Sequence, residues 1–297
     1  MNFNMTNSLH YERLTSKPNP KGVLIISHGM AEHIGRYEWL ISKLNDDGYH
    51  VISRDHRGHG KNIMNGELPG FFAKNNGWIW VRDDLYELIG NVKKKYPTIP
   101  CFLLAHSMGS WIALSLLNKK LDIDGIILSG SSKVPHFLIY LQLLIIKIEI
   151  IRNGHKAQSK LIDALTIRKF NNSFAPNRTD HDWISSDMES VDNYVSDPLC
   201  GFIVTNRLWH DVCNCMLKIF KKNFYSSMNF NIPILIISGE NDAASSMSKF
   251  TKKLYDFLCS IFSNVKLKIV KECRHEVFTE HNKLSSYNYL INYIKHL

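Results

Sequence analysis

Short, largely apolar runs recur along the chain, at 22–27, 49–53, 101–105, 125–128, 232–238 and 265–270, the first of them without any internal polar alternation. A strand that is apolar on both sides is one buried on both sides, as in a parallel sheet covered by helices. The intervals between the runs carry a different period. Tyr37, Leu40, Ile41 and Leu44 fall on one stripe of a helix predicted over 36–45, and 78–96, 111–117, 246–261 and 281–297 also read as helices. Residues 11–14 are a candidate edge strand. Strands and helices in alternation predict an α/β fold, a mostly parallel central sheet with helices on both faces.

The alternation breaks once. From 133 to 229 the chain holds helix-like segments and loops rich in Asn, Asp and Ser. An insertion placed after one strand lies over the carboxyl edge of the sheet, where such sheets bind ligands. The expected division is therefore a core of 1–132 and 230–297 with a helical cap, or lid, at 133–229. Inside the insertion, 134–151 is conspicuously apolar, interrupted by His136, Gln142, Lys147 and Glu149. Its length is marginal for a membrane span. A lid helix at a cavity mouth fits better, either touching a bilayer or packed within the cap.

Composition adds limits. The chain has 297 residues, 44% apolar and 21% charged, enough for one large α/β domain with an insertion. A net charge of +9 favours anionic partners. The lysines form only short clusters, such as 93–95, and no nucleic-acid motif accompanies them. Nucleic acid is therefore not expected, and an anionic membrane surface is the candidate peripheral contact. Cys101, Cys200, Cys213, Cys215, Cys259 and Cys273 lack metal-ligand spacing and read as reduced thiols, implying a cytoplasmic setting. Residues 1–10 are polar and lack the apolar core of a signal peptide.

The chemistry centres on Ala105-His106-Ser107-Met108-Gly109, between a buried strand and a helix. A sharp strand–turn–helix junction presents a serine hydroxyl above the sheet, and small residues are needed on either side of it. Gly109 meets that need, and Ala105 stands where the pattern has glycine. A serine nucleophile requires a base and an acid that orients the base. Asp242, after the run 232–238, and His275, after the run 265–270, supply them in the order Ser, acid, His. Glu240 is a competing acid, Asp242 could instead cap the following helix, and His275 is one of 14 histidines. The amides of Met30 and Met108 are the candidate oxyanion donors, with Gly29 allowing close backbone approach. His28, His33, His56 and His59 read as structural. A metal held by Asp55, His56 and His59 is the alternative, without a further ligand in suitable context. No metal or cofactor is expected. Glu32, Arg57, Trp183 and Trp209 either shape the pocket or pack.

With these residues assembled, the chain resembles the monoacylglycerol lipase and lysophospholipase group of the α/β-hydrolase fold. The likeness is carried by His28-Gly29-Met30-Ala31-Glu32-His33-Ile34-Gly35-Arg36-Tyr37, Asp55-His56-Arg57-Gly58-His59-Gly60, the Ser107 elbow and the Arg274-His275-Glu276 context. Ser196-Asp197-Pro198-Leu199-Cys200-Gly201-Phe202 is similar to a segment of bacterial lysophospholipase-like members. Ala105 and Asn62 depart from the usual glycine and serine. The resemblance implies cofactor-free hydrolysis of a lipid carboxylic ester, with a mobile cap admitting the acyl chain. A thioesterase, small-ester esterase or peptidase on the same scaffold, or a silent lipid-binding protein, remain the alternatives.

Overall fold

The computed structural model describes residues 10–297. Most of the polar segment read as lacking a signal peptide, 1–9, lies outside the described residues. Seven strands form one sheet: β1 (His10–Arg13), β2 (Gly22–Ser27), β3 (Tyr49–Arg54), β4 (Cys101–His106), β5 (Gly125–Ser129), β6 (Ile234–Gly239) and β7 (Val265–Val270). Their order is β1-β3-β2-β4-β5-β6-β7. β1 runs antiparallel to β3, and every other pairing is parallel.

The helices are α1 (Glu38–Asp46), α2 (Lys61–Met64), α3 (Gly77–Lys95), α4 (Met108–Leu116), α5 (His136–Asn153), α6 (Lys160–Leu165), α7 (Ile167–Asn172), α8 (Met188–Ser196), α9 (Asn206–Ile219), α10 (Lys249–Cys259) and α11 (Lys283–Ile294). Alternate residues of a strand point to opposite faces, and the two cores divide accordingly. Val23, Ile25, Leu103 and Ile126 pack with α3, α4 and α10 on one side. Leu24, Ile26, Leu104 and Ile127 pack with α1 and α11 on the other. Strands apolar on both faces are what this double cover requires.

The segment between β5 and β6 contains α5 to α9 and no strand. Its long helices join the larger core: Ile139 and Ile146 of α5 and Leu208, Val212 and Ile219 of α9 are buried there. A smaller cluster holds Trp183, Ile184, Val191, Tyr194 and Cys200. The apolar run expected over 134–151 is the helix α5. Among the described residues no helix is long and apolar enough to cross a membrane. Phe137, Tyr140, Leu144, Ile148 and Ile151 nevertheless remain exposed along it.

Boundaries moved by a few residues at most. The elbow helix starts at Met108 rather than 111, because it begins directly after the strained serine. The helix expected from 246 starts at Lys249, since Ala243–Ser245 form a separate 3₁₀ turn and Ser246, Met247 and Ser248 all adopt positive φ.

Candidate active site

Each candidate catalytic side chain lies just past the carboxyl end of a parallel strand, and the four adjacent strands β2, β4, β5 and β6, with β7 at the edge, bring those ends together. Ser107 follows β4 with φ 50° and ψ −118°, a backbone position that non-glycine residues rarely occupy. The turn is tight because α4 starts immediately and lies against β2. A Cβ at Gly109 would stand 2.3 Å from the Ser27 carbonyl oxygen, so no side chain fits there. Ala105 does fit: its methyl is fully buried in the larger core beside β2, where it pairs with Ser27.

Asp242 and His275 are joined through a second close approach. A Cβ on Gly239 would meet the Arg274 carbonyl oxygen at 1.9 Å, and the Asn241 amide donates to the Cys273 carbonyl at 2.9 Å. These contacts hold the loops after β6 and β7 against each other. His275 Nδ1 then lies 2.9 Å from Asp242 Oδ1, and His275 Nε2 lies 3.0 Å from Ser107 Oγ. Asp242 also caps the short 3₁₀ turn, its Oδ1 accepting from the Ala244 amide at 3.0 Å. The same carboxylate therefore meets both the imidazole and the turn. Glu240 is exposed and accepts from the Glu272 amide at 3.3 Å, away from the imidazole.

Asp242 is fully buried and His275 nearly so. Burial pushes the His275 imidazole down, but the Asp242 charge and hydrogen bond, with Glu276 and Glu32 behind them, raise it above its ordinary value. The ring is fixed from both sides, with the centroid of His106 at 4.9 Å and that of Trp183 at 4.8 Å. Trp183, which the sequence leaves between packing and pocket-shaping, is thus in contact with the base itself.

Met30 and Met108 both line the cavity at Ser107. Neither amide donates to an acceptor among the described residues. Met108 is the first residue of α4, where amides have no intrahelical partner. Met30 sits in a loop tied down by Glu32, whose Oε1 accepts from the Gly29 amide and from the Tyr37 hydroxyl at 2.9 Å. Glu32 Oε2 accepts from Arg36 at 3.0 Å, and Arg36 makes a two-point pair with Glu276 at 2.6 and 2.9 Å. Arg36 also lies over the Tyr194 ring at 4.6 Å, and the Tyr194 hydroxyl donates to the Ala31 carbonyl at 3.1 Å. Burial pushes the Glu276 carboxyl up, yet Arg36 holds it below the usual carboxylate range. Arg36 and Glu276 stand inside motifs that the sequence displays, but their pairing is visible only in three dimensions.

The remaining histidines hold loops. His28 Nε2 accepts from the His56 amide at 3.0 Å, and His56 Nε2 lies 3.1 Å from the His28 carbonyl. His59 Nδ1 donates to the Arg57 carbonyl at 2.9 Å. Asp55 accepts from the amides of Ile34 and Lys61 at 3.0 and 2.9 Å, and Asn62 donates to the Asp55 and His56 carbonyls at 2.9 and 3.0 Å. Asp55, His56 and His59 are not gathered as ligands. Among the described residues the group within ligand reach is His33, Asp197 and Cys200. His33 Nδ1 accepts from the Gly35 amide, which leaves the proton on Nε2, facing Asp197 at 2.8 Å. An imidazole in that state has no lone pair to give a metal. Arg57 forms a two-point pair with Asp84 at 2.7 and 3.0 Å.

Ser107 and His275 line a cavity of about 610 Å³, walled by the loops at the strand ends together with residues of α5, α6, α7 and α9. Leu138, Ile145, Ile162, Phe170, Trp209 and Met216 make it chiefly apolar. A serine, an imidazole and a buried carboxylate at strand ends, beneath such a cavity, define an α/β-hydrolase.

The particular family follows from comparison. The chain belongs to the hydrolase family described as "Serine aminopeptidase, S33", whose sequence profile matches residues 18–282. Within it, the chain falls in the monoacylglycerol lipase-like group. It is 29% identical over 285 residues to the monoglyceride lipase homolog of Monkeypox virus, covering 94% of this chain and 90% of that protein. It is 25% identical over 279 residues to the monoacylglycerol lipase of Mycolicibacterium smegmatis, covering 91% and 86%. Among solved structures, a thermostable carboxyl esterase from Bacillus coagulans superposes with a TM-score of 0.86 at 24% identity, covering 97% of this chain and 93% of that one. A monoglyceride lipase from Saccharomyces cerevisiae gives 0.72 at 20%, covering 96% and 90%.

Proposed function

We propose that this carboxylic ester hydrolase cleaves a lipid monoester, monoacylglycerol or lysophospholipid, through an acyl-enzyme on Ser107. The observation that carries the reading is the Ser107–His275–Asp242 relay opening into an apolar cavity large enough for an acyl chain. His275 removes the hydroxyl proton as Ser107 attacks the ester carbonyl, and then protonates the departing alcohol. Asp242 keeps the proton of the neutral imidazole on Nδ1, so Nε2 is free to act as base. The unpaired amides of Met30 and Met108 receive the negative charge that develops on the carbonyl oxygen. Water, activated by the same imidazole, then releases the fatty acid. No cofactor enters this scheme.

Residues 133–229 act as the cap over a core of 1–132 and 230–297. The exposed apolar row of α5, on a chain of net charge +9, suits peripheral contact with an anionic membrane from which the substrate is drawn. Ester cleavage is favoured over aminopeptidase action because the carboxylates lining the cavity already have cationic partners. Glu32 and Glu276 face Arg36, and Asp163 lies 3.0 Å from Arg168.

The test is Ser107→Ala. Hydrolysis of monoacylglycerol should fall by about 10⁴-fold or more, fluorophosphonate labelling should disappear, and thermal unfolding should be retained. A variant that keeps most of its activity would overturn the assignment. Failure of the wild-type protein to take up fluorophosphonate would point to the silent binder instead.

A further inference from the structure

Among the residues of α5 that line the cavity one is polar and the rest are apolar. Leu138, Leu141, Gln142 and Ile145 recur at helical spacing and line the cavity together. Gln142 is part-buried, and its carboxamide has one polar contact, the Cys213 thiol 3.8 Å from Oε1. That contact is long and involves a weak donor. Nε2 donates to nothing among the described residues. The residues that the neighbouring helix α9 contributes to the cavity wall, Trp209 and Met216, are apolar.

A purely hydrocarbon chain filling this space would strip water from the Gln142 amide and offer nothing in return. An amide desolvated without a partner weakens binding by about tenfold, whereas a partnered one does not. A chain bearing a hydroxyl, keto or epoxide oxygen at the matching depth would accept from Nε2.

We propose that Gln142 is a specificity-determining residue that selects oxygenated acyl chains over plain ones. The proposal rests on the lipid monoester reading above. It makes no demand on the relay at Ser107, because the amide meets the chain and not the reacting carbonyl. The preference is set by a partner gained and a desolvated amide avoided, so it should be confined to particular positions of the oxygen along the chain.

The experiment uses the full chain and a series of C18 monoacylglycerols, each carrying one hydroxyl at a different position, with the unsubstituted ester as reference. For the wild-type protein, at least one positional isomer should exceed the plain ester in kcat/KM by about tenfold. In Gln142→Leu that preference should vanish, chiefly by a rise in activity on the plain ester. Gln142→Met serves as a second variant, and fluorophosphonate labelling at Ser107 checks that both remain assembled. A wild-type profile flat across the series would overturn the proposal while leaving lipid ester hydrolysis intact, and so would a preference that survives in both variants. Absence of hydrolysis of every ester by the labelled wild-type protein would instead count against the lipid monoester reading itself.

Discussion

His275 stands between two opposing influences, and their balance sets when it can act. Burial favours the neutral ring, while Asp242 at 2.9 Å favours the charged one and prevails. In the proposed mechanism His275 must be neutral to accept the Ser107 proton, so kcat/KM should fall on the acid side with an apparent pKa above the ordinary imidazole value of 6.5. Asp242→Asn removes the raising influence and frees the ring to adopt the wrong tautomer. The rate should drop by about 10⁴-fold, and the residual acid limb should move to lower pH. An acid limb that stays in place in this variant would show that another group titrates. At this scale much was readable in advance. Ser107, Asp242 and His275 follow apolar runs in a recognisable order, and their side chains meet because the ends of those strands lie near one another. The contact of Trp183 with the imidazole was not readable, since nothing in its local sequence points to a ring 92 residues further along the chain (275 − 183).

Among the elements, the loops after β2 and β7 and the helix α8 are tied through one guanidinium. Arg36 is paired with Glu32 and Glu276, and all three side chains are at least nine-tenths buried. Its own charge is held firmly, since burial lowers its pKa but the two carboxylates raise it well above the usual value. A buried ion cluster of this kind adds no net stability compared with a well-packed apolar replacement of the whole set. Removing one member alone is costly, because the others stay charged without a partner. Arg36→Met should therefore lower the free energy of unfolding by about 3–5 kcal/mol, read from urea denaturation at neutral pH. A change below about 1 kcal/mol would mean that the cluster behaves as a solvated surface pair. The motif around Arg36 was legible, as was Glu276 beside His275. Their partnership, across 240 residues, was not, because either could equally have met solvent.

The molecule as a whole carries several imidazoles that folding forces to remain neutral. His28, His56, His59 and His106 are buried, and burial lowers each below its ordinary value, His59 to about 4. A group depressed in the folded state is protonated first in the unfolded chain. Its contribution is complete above 6.5 and is lost as pH falls from there toward about 4 for His59. His275 acts with the opposite sign, since a raised group loses its contribution as pH increases, but it is a single ring against several. The urea midpoint should accordingly hold steady above neutrality and decline steadily from about pH 6.5 to 4. A midpoint unchanged between pH 7 and 5 would show that these rings are not excluded from water.

The apolar runs and their spacing determined the parallel sheet, its two covers, the single interruption and the placing of Ser107, Asp242 and His275 after particular strands. Those are consequences of period and order, which a linear chain displays. Tertiary structure decided which orders become neighbourhoods. The sheet order placed β6 between β5 and β7, Gly109 and Gly239 allowed backbones to touch, and only then did Ser107, His275 and Asp242 come within hydrogen-bond reach. The same step turned Gln142 from an interruption in an apolar helix into a polar group facing a cavity. Helical spacing says which residues share a face, but what that face looks onto depends on the packing of segments remote in sequence.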